Sequence, residues 1–170
     1  MPAPSAVQTT ADIALRIERV GMDQFPTVQR LNVAVFDEVR VINQLDRPDL
    51  VMLLAYRGPS AGSPRQGSGQ AGRAEEPVGF KVGYGESETT FYSAKGGVLE
   101  MHRGRGIAKA LLVRMMDEAR ALGYERFAYD TFPNMHPGMT VLGLRAGFRV
   151  TAAGYNATYQ DYRIRFEKAL

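Results

Sequence analysis

The segment Gly96–Leu122 constrains the fold of this chain more strongly than any other part of the sequence. It reads as the end of a strand, a turn that contains Gly104 and Gly106, and a long helix over Gly106–Leu122 that ends at Gly123. Apolar side chains recur on one face of the helix at the 3.6-residue period, which predicts a face packed on the core. The charged side chains predicted to point away from that core are Arg114, Asp117, Glu118 and Arg120.

Hydrophobic periodicity divides the rest of the chain into further strands and helices. The predicted strands cover residues 12–20, Leu50–Tyr56, Val78–Gly85, Thr89–Leu99, Tyr124–Thr131, Phe148–Ala153 and Thr158–Glu167. Besides Gly106–Leu122, the predicted helices are one from Asp23 with Val28, Leu31, Val35 and Val39 on its buried face, a short helix or turn over Val41–Leu45, and one around Met139–Ala146. This order predicts an α/β fold with a mixed sheet and helices on its faces.

The chain length is that of one domain, since 170 residues suffice for a substantial core and no repeat or boundary interrupts them. Residues 58–77 are rich in glycine, serine and proline, and no side chain there could anchor a core. They predict a long flexible loop between two strands, most simply a tolerated insertion. A lid over a substrate is the alternative.

Composition excludes several chemistries. The chain has no cysteine, so disulfides, cysteine-ligated zinc and thiol nucleophiles are ruled out. With His102 and His136 as its two histidines, we expect no metal site.

Other features bear on partners and compartment. The net charge of +3 comes from scattered basic residues, which does not favour nucleic-acid binding. The longest apolar run, Leu50–Tyr56, is too short to cross a membrane. The first seven residues lack the features of a secretory signal, so we expect a cytoplasmic protein.

The turn before the long helix is suited to a pyrophosphate. A helix start carries unpaired amides and partial positive charge, and Gly104 and Gly106 let a phosphate approach the backbone. Arg103 and Arg105 add cationic partners. The Gly-Lys-Ser/Thr ending of a mononucleotide loop is missing, and Lys109 stands where a dinucleotide fingerprint needs glycine. The alternative is a basic turn that only caps a helix.

At this point the sequence resembles the GNAT superfamily of acyl-CoA N-acyltransferases. The family's pyrophosphate motif, Arg/Gln-x-x-Gly-x-Gly/Ala, is matched in full by Arg103-Gly104-Arg105-Gly106-Ile107-Ala108. The strand residue Val98, the pair Gly123-Tyr124 and the sequence Ala146-Gly147-Phe148 also stand where the family has them, so the resemblance covers about residues 91–150. It implies a mixed, mostly antiparallel central sheet with helices on both faces.

The resemblance also implies a co-substrate, acetyl-CoA, and a set of contacts with it. The pantetheine arm would lie along Gly97, Val98 and Leu99, and the Val98 amide would stabilise a developing oxyanion. A neutral amine would attack the thioester directly, with no acyl-enzyme and no metal. The pyrophosphate contacts would come from backbone amides between Arg103 and Ala108, with a further contact from the Lys109 side chain: Arg103, Gly104, Arg105, Gly106, Ile107, Ala108 and Lys109.

The sequence departs from the family in the residues that would handle protons. Gly143 occupies the position where many members have a tyrosine that protonates the leaving thiolate. Three other residues are candidates for that role: Tyr129, His136 and Tyr92. The family's asparagine does not align cleanly: counted back from Gly147, its usual place falls on His136, and Asn134 lies two residues earlier. We favour Asn134 as the pantetheine contact. Glu86 and Glu88 could serve as the base, but residues at a hairpin tip are more often solvated.

These observations predict an N-acetyltransferase whose acceptor is a small-molecule amine or a peptide amine. A domain that binds acyl-CoA as a regulator without turnover is the alternative that Gly143 favours. A longer acyl donor and a homodimer are also compatible with the sequence.

Overall fold

The computed structural model describes residues 14–58 and 75–170. Seven strands and three α-helices follow one another along the chain in these residues. They are β1 (Ala14–Val20), α1 (Phe25–Phe36), β2 (Val51–Gly58), β3 (Glu76–Gly85), β4 (Thr90–Val98), α2 (Ile107–Ala121), β5 (Arg126–Thr131), α3 (Pro137–Arg145), β6 (Arg149–Asn156) and β7 (Asp161–Ala169). None of the helices in these residues is long and apolar enough to cross a membrane.

The seven strands form one sheet in the order β1-β2-β3-β4-β5-β7-β6. Every neighbouring pair is antiparallel except β4 and β5. A parallel pair needs a crossover connection, and α2 provides it. The predicted mixed, mostly antiparallel sheet is confirmed.

Helices cover both faces of the sheet, as predicted. α2 and α3 pack on one face over a core that includes Leu53, Phe91 and Phe127. α1 packs on the other face over a core that includes Leu54 and Phe80. We call these the α2 face and the α1 face. Alternate residues of a strand point to opposite faces, except across the bulges in the β2–β3, β3–β4 and β6–β7 pairs, where the alternation shifts by one residue.

The first predicted helix is correct in its core but too long. Val28 and Leu31 are buried as expected. The helix stops at Phe36 because Asp37 adopts the left-handed conformation, with φ of 55°. The placement of Val39 on the buried face of this helix was therefore wrong, and its side chain is 68 % exposed.

The short helix predicted over Val41–Leu45 is also wrong, because this segment is irregular. Val41 is buried all the same. The buried side-chain amide of Asn32 donates to the backbone carbonyls of Glu38 and Arg40. These two bonds hold the chain after α1 against the helix without a helical turn.

Two further predictions need correction. β2 extends through Gly58 and β3 begins at Glu76, so the loop predicted over residues 58–77 was too wide at both ends; residues 59–74 lie outside the described residues. Glu118 does not face away from the core, since its side chain is 11 % exposed and accepts hydrogen bonds from Arg19 and Arg114. Two arginines pair with this carboxylate and offset part of the free-energy cost of burying it.

Candidate active site

The sheet opens between its two parallel strands. β4 and β5 pair over four residues each, from Thr90 opposite Arg126 to Ser93 opposite Tyr129. β4 then continues to Val98 beside β3 alone, while β5 turns its last residues to β7. The far half of β4 therefore has an unpaired backbone edge, and we call the gap beside it the opening.

The backbone of Val98 faces this opening. Leu99 donates its N–H to the Val78 carbonyl at 2.9 Å, so Val98 and Gly79 face each other without exchanging hydrogen bonds. The N–H and C=O of Val98 consequently point away from β3. The Arg103 Nε donates to that carbonyl at 3.1 Å, and the Val98 N–H remains directed into the opening. The Leu99 N–H, by contrast, is already used within the sheet.

The turn before α2 presents a row of backbone amides. Gly104 and Gly106 have φ of 71° and 79°, a region that other residues rarely adopt. A Cβ built on either glycine would meet no atom within 4 Å, so both border open space. Among the described residues, the amides of Gly104, Arg105 and Gly106 donate to no backbone carbonyl, and no side chain caps α2. The Arg103 amide is used within the turn, where it donates to Glu100.

Positive charge surrounds this turn. An Arg57 guanidinium nitrogen lies 3.5 Å from the His102 ring. Burial, and then the charges of Arg57 and Arg105, lower the pKa of His102. Ile107 is 3 % exposed and fixes the first turn of α2 in the core, while Lys109 points outward in the same turn. Open glycines, free amides and cationic side chains fit a pyrophosphate.

A sequence model of the Acetyltransferase (GNAT) family matches residues 36–148. The chain belongs to the GNAT family. It is therefore an acyltransferase, and the matched segment contains β4, the opening, the glycine turn and α2. No curated protein sequence matches the chain.

Several solved structures share the fold. The IAA acetyltransferase from Bacillus cereus ATCC 14579 superimposes with a TM-score of 0.70 at 19 % identity, over 92 % of this chain and 100 % of that one. A GNAT family acetyltransferase from Elizabethkingia anophelis with acetyl-CoA bound gives 0.70 at 18 % identity, over 92 % and 98 %. Arabidopsis thaliana NAA60 in complex with acetyl-CoA gives 0.67 at 17 % identity, over 92 % and 99 %.

Gly143, where the resemblance leads us to expect the family's tyrosine position, has no room for a side chain in this structure. A Cβ on Gly143 would overlap the Tyr129 hydroxyl. That hydroxyl donates to the Met139 carbonyl at 3.1 Å, and Tyr129 is 2 % exposed. Burial raises the pKa of Tyr129 well above its ordinary value. The tyrosine predicted as a proton donor thus lies on the α2 face with its hydroxyl bound to the backbone of α3.

The other two candidates for proton transfer lie elsewhere. His136 precedes α3, and its ring meets the edge of Phe36 at the end of α1, with ring centres 5.8 Å apart. Burial and the charge of Arg103 lower the pKa of His136, so the ring is neutral near pH 7. Tyr92 lies on the α1 face, opposite to Tyr129. The structure therefore does not bring the three candidates together.

Tyr92 belongs to a polar cluster on the α1 face. Its hydroxyl donates to Asp130 Oδ2 at 3.1 Å, and burial and the Asp130 charge raise the pKa of Tyr92. Arg163 lies 3.7 Å from Oδ2 and Arg165 lies 3.9 Å from Oδ1. Arg165 also binds Glu86, whose side chain nevertheless remains 40 % exposed. Asp130 and the two arginines line a cleft of about 220 Å³ beside β6.

Asn134, predicted as a pantetheine contact, is hydrogen-bonded within the protein. Its side-chain amide donates to Asp161 at the start of β7, at 2.6 Å. The contact joins the loop after β5 to the β6–β7 hairpin.

Two features of the site were not predicted from the sequence. The cluster of Asp130 with its arginines joins separate strands, and no local pattern indicates it. Lys81 is buried in the middle of β3, where it is 6 % exposed. The sequence did contain a signal for this residue, because a lysine between Phe80 and Val82 interrupts an otherwise apolar strand.

Proposed function

We propose that this chain is an N-acetyltransferase that moves the acetyl group of acetyl-CoA to a primary amine by direct attack. The observation that carries the proposal is the Val98 N–H, which points into the opening a few residues before an open glycine turn. Solved GNAT structures with acetyl-CoA bound support this choice of donor.

The residues of the donor side fit a CoA thioester. The amides of Gly104 to Ala108 would hold the pyrophosphate, and Arg105 and Lys109 would add charge. The unpaired edge of β4 would pair with the pantetheine amides. Acetyl-CoA supplies an activated acyl group when bound, and the Val98 N–H would donate to its carbonyl oxygen as negative charge develops there.

The acceptor amine would approach from the α1 face. Asp130 lines a cleft next to β6 and β7 together with Arg163 and Arg165. Its buried Oδ1 has no hydrogen-bond partner among the described residues, so this oxygen could accept a hydrogen bond from the amine. The amine must lose a proton before it attacks, and neutral His136 could accept it directly or through water. The acceptor would be a small molecule or a peptide amine. The peptide option is supported by one structural neighbour, the ribosomal-protein-S18-alanine N-acetyltransferase from Escherichia coli.

A second function, acyl-CoA binding without turnover, is favoured by one observation. The Tyr129 hydroxyl is bound to the Met139 carbonyl, and Gly143 offers no proton donor. Release of free CoA from acetyl-CoA, followed with a panel of amines and peptides, separates the two functions. We expect release that depends on an amine; binding of CoA with no release for any amine would favour the regulatory function.

A further inference from the structure

Lys81 is a buried cation on the α2 face of the sheet. It alternates with Phe80 and Val82, which pack on the α1 face, and it lies opposite Leu53 of β2 and Gly96 of β4. Only 6 % of the residue is exposed. A lysine so deep in a strand of a central sheet is rare unless an acid pairs with it.

No acid compensates this charge within the described part of the chain. Burial is the one cause that lowers the pKa of Lys81, to about 8. Among the described residues, no hydrogen bond or ion pair involves its ammonium. Glu118, the buried acid of α2, is paired with Arg19 and Arg114 instead. The other residues of this face on the neighbouring elements are apolar or neutral: Leu53 of β2, Gly96 and Ser93 of β4, Leu111 and Met115 of α2, and Tyr129 of β5, whose pKa is raised.

The side chain lies beside the opening. Lys81 Cγ is 3.1 Å from the point where a Cβ on Gly96 would stand, so the stem packs over this glycine. Gly96 belongs to the part of β4 that has lost β5 as a neighbour. The lysine stem can lie here because Gly96 has no side chain.

A second polar group at the same place lacks a partner. Ser93 occupies the last rung of the β4–β5 ladder on the α2 face, and it is 4 % exposed. Its Oγ has no hydrogen-bond partner in the described part of the chain. Ser93 Oγ is thus a buried polar atom without a partner, and Lys81, on the other side of the point where the strands separate, makes no side-chain hydrogen bond or ion pair in the described part of the chain. A polar ligand would satisfy both groups.

We propose that the Lys81 ammonium donates a proton to the sulfur of the departing CoA. The inference rests on the proposed function. The amine nitrogen forms a bond to the acetyl carbon, the carbon–sulfur bond breaks, and sulfur keeps that electron pair. A proton passes from Nζ to sulfur, and Lys81 becomes neutral. The proton that the attacking amine loses passes to solvent, from which Lys81 takes one back, so the products are an amide and CoA thiol.

The proton affinities match this role. A thiol of the cysteine type has a pKa of about 8.5, and burial places Lys81 close to that value. A donor and an acceptor of similar pKa exchange a proton with little cost in either direction. An exposed lysine, with a pKa of about 10.4, would hold its proton too tightly.

The test that does not rely on turnover is the acidity of bound CoA. An ammonium near a thiol stabilises the thiolate, so the pKa of the bound thiol should fall by about 1 pH unit. Ultraviolet titration of the thiolate measures it, with desulfo-CoA as the blank. We expect Lys81→Met to abolish the fall. Equal thiol acidity in the variant and the wild type would overturn the proposal.

Lys168→Met is the matched control. It removes the same charge from the same face of the sheet, but the Lys168 ammonium binds the Ala146 carbonyl at 2.6 Å, at the far end of β5. We expect this variant to keep the thiol acidity of the wild type. If both substitutions abolished the fall in the thiol pKa equally, the cause would be the net charge of the protein. That result would also overturn the proposal.

Turnover gives the second readout. Loss of one positioned proton donor costs about 10²–10⁴-fold in kcat, while the KM for acetyl-CoA should change little. A wild type that acetylates an amine and a Lys81→Met variant that matches its kcat would refute the role of Lys81 and leave the proposed function standing. A wild type that does not bind CoA in calorimetry would refute both.

Discussion

The two faces of the sheet at the opening handle charge in opposite ways. On the α1 face, Tyr92, Asp130, Arg163 and Arg165 are linked to one another, so each charge has a partner. On the α2 face, Lys81 is more deeply buried and has none among the described residues. Paired charges cost little and fix side chains in place, whereas a lone buried charge costs stability and persists only for another reason. We therefore propose that the first face binds the acceptor and that the second face supplies the proton to the departing sulfur.

The largest effect that we expect concerns the glycine turn on the donor side. Gly106→Val places a branched residue at φ of 79° and fills the space where a phosphate would lie. The steric block and the loss of at least one charge-assisted hydrogen bond should weaken CoA binding by about 3 kcal/mol or more. Arg105→Ala, which spares the backbone, should cost about 1–3 kcal/mol. Calorimetry measures both, and a larger loss for Arg105→Ala would show that side chains rather than amides hold the ligand.

The next largest effect is on the free energy of unfolding, and it tests directly whether the two faces differ in the cost of a buried charge. Lys81→Met should stabilise the protein at pH 7 by about 2–3 kcal/mol, since the pKa of this lysine falls from about 10.4 unfolded to about 8 folded. Below pH 8 Lys81 is protonated in both the folded and the unfolded chain, so the folded protein bears the full cost of burying the charge. Between pH 8 and about 10.4 the unfolded chain alone holds the proton, so the stability of the wild type rises with pH.

Urea unfolding of the wild type and the variant at pH 7 and pH 10 measures this window. The gap between the two proteins should narrow at the higher pH. A variant that is less stable than the wild type at pH 7 would mean that Lys81 has a structural partner.

A substitution with a similar or smaller effect on stability tests the packing of Tyr129 against Gly143. Gly143→Ala should destabilise the protein by about 1–3 kcal/mol, because the new methyl group overlaps the Tyr129 hydroxyl. In a Tyr129→Phe background the hydroxyl is gone, and the nearest remaining atom is a ring carbon at 3.1 Å. The penalty for alanine should then shrink. Thermal melts of the four proteins complete the cycle, and equal penalties in the two backgrounds would contradict this contact.

Local features of the fold could be predicted from the sequence, and features that depend on register could not. The glycine turn and α2 were predictable because a helix start and its apolar stripe are encoded within about twenty neighbouring residues. The path of Lys81 over Gly96 joins strands whose register is set by a bulge at Val82 and Gly83. The contact of Tyr129 with Gly143 joins a strand to a helix. Such contacts arise only when distant segments meet.

The substitution that we expect to change CoA affinity least lies on the α1 face. Asp130→Asn removes the negative charge beside the acceptor cleft but touches nothing near the glycine turn. CoA affinity in calorimetry should stay within about a factor of two, because the substitution changes no proposed donor contact. The KM for the amine should rise. If CoA affinity fell and the amine KM did not, the assignment of the two faces would be reversed.

The most direct test of the donor site is an amide NMR titration of the protein with CoA. We predict that the largest shifts fall on the N–H groups of Val98 and of residues 104–108, which point into the opening and the glycine turn. The N–H of Leu99, which is bound to Val78, should move less. Saturating CoA that leaves the amides of residues 104–108 unmoved, or that shifts another surface instead, would contradict the assignment of the donor site to the glycine turn.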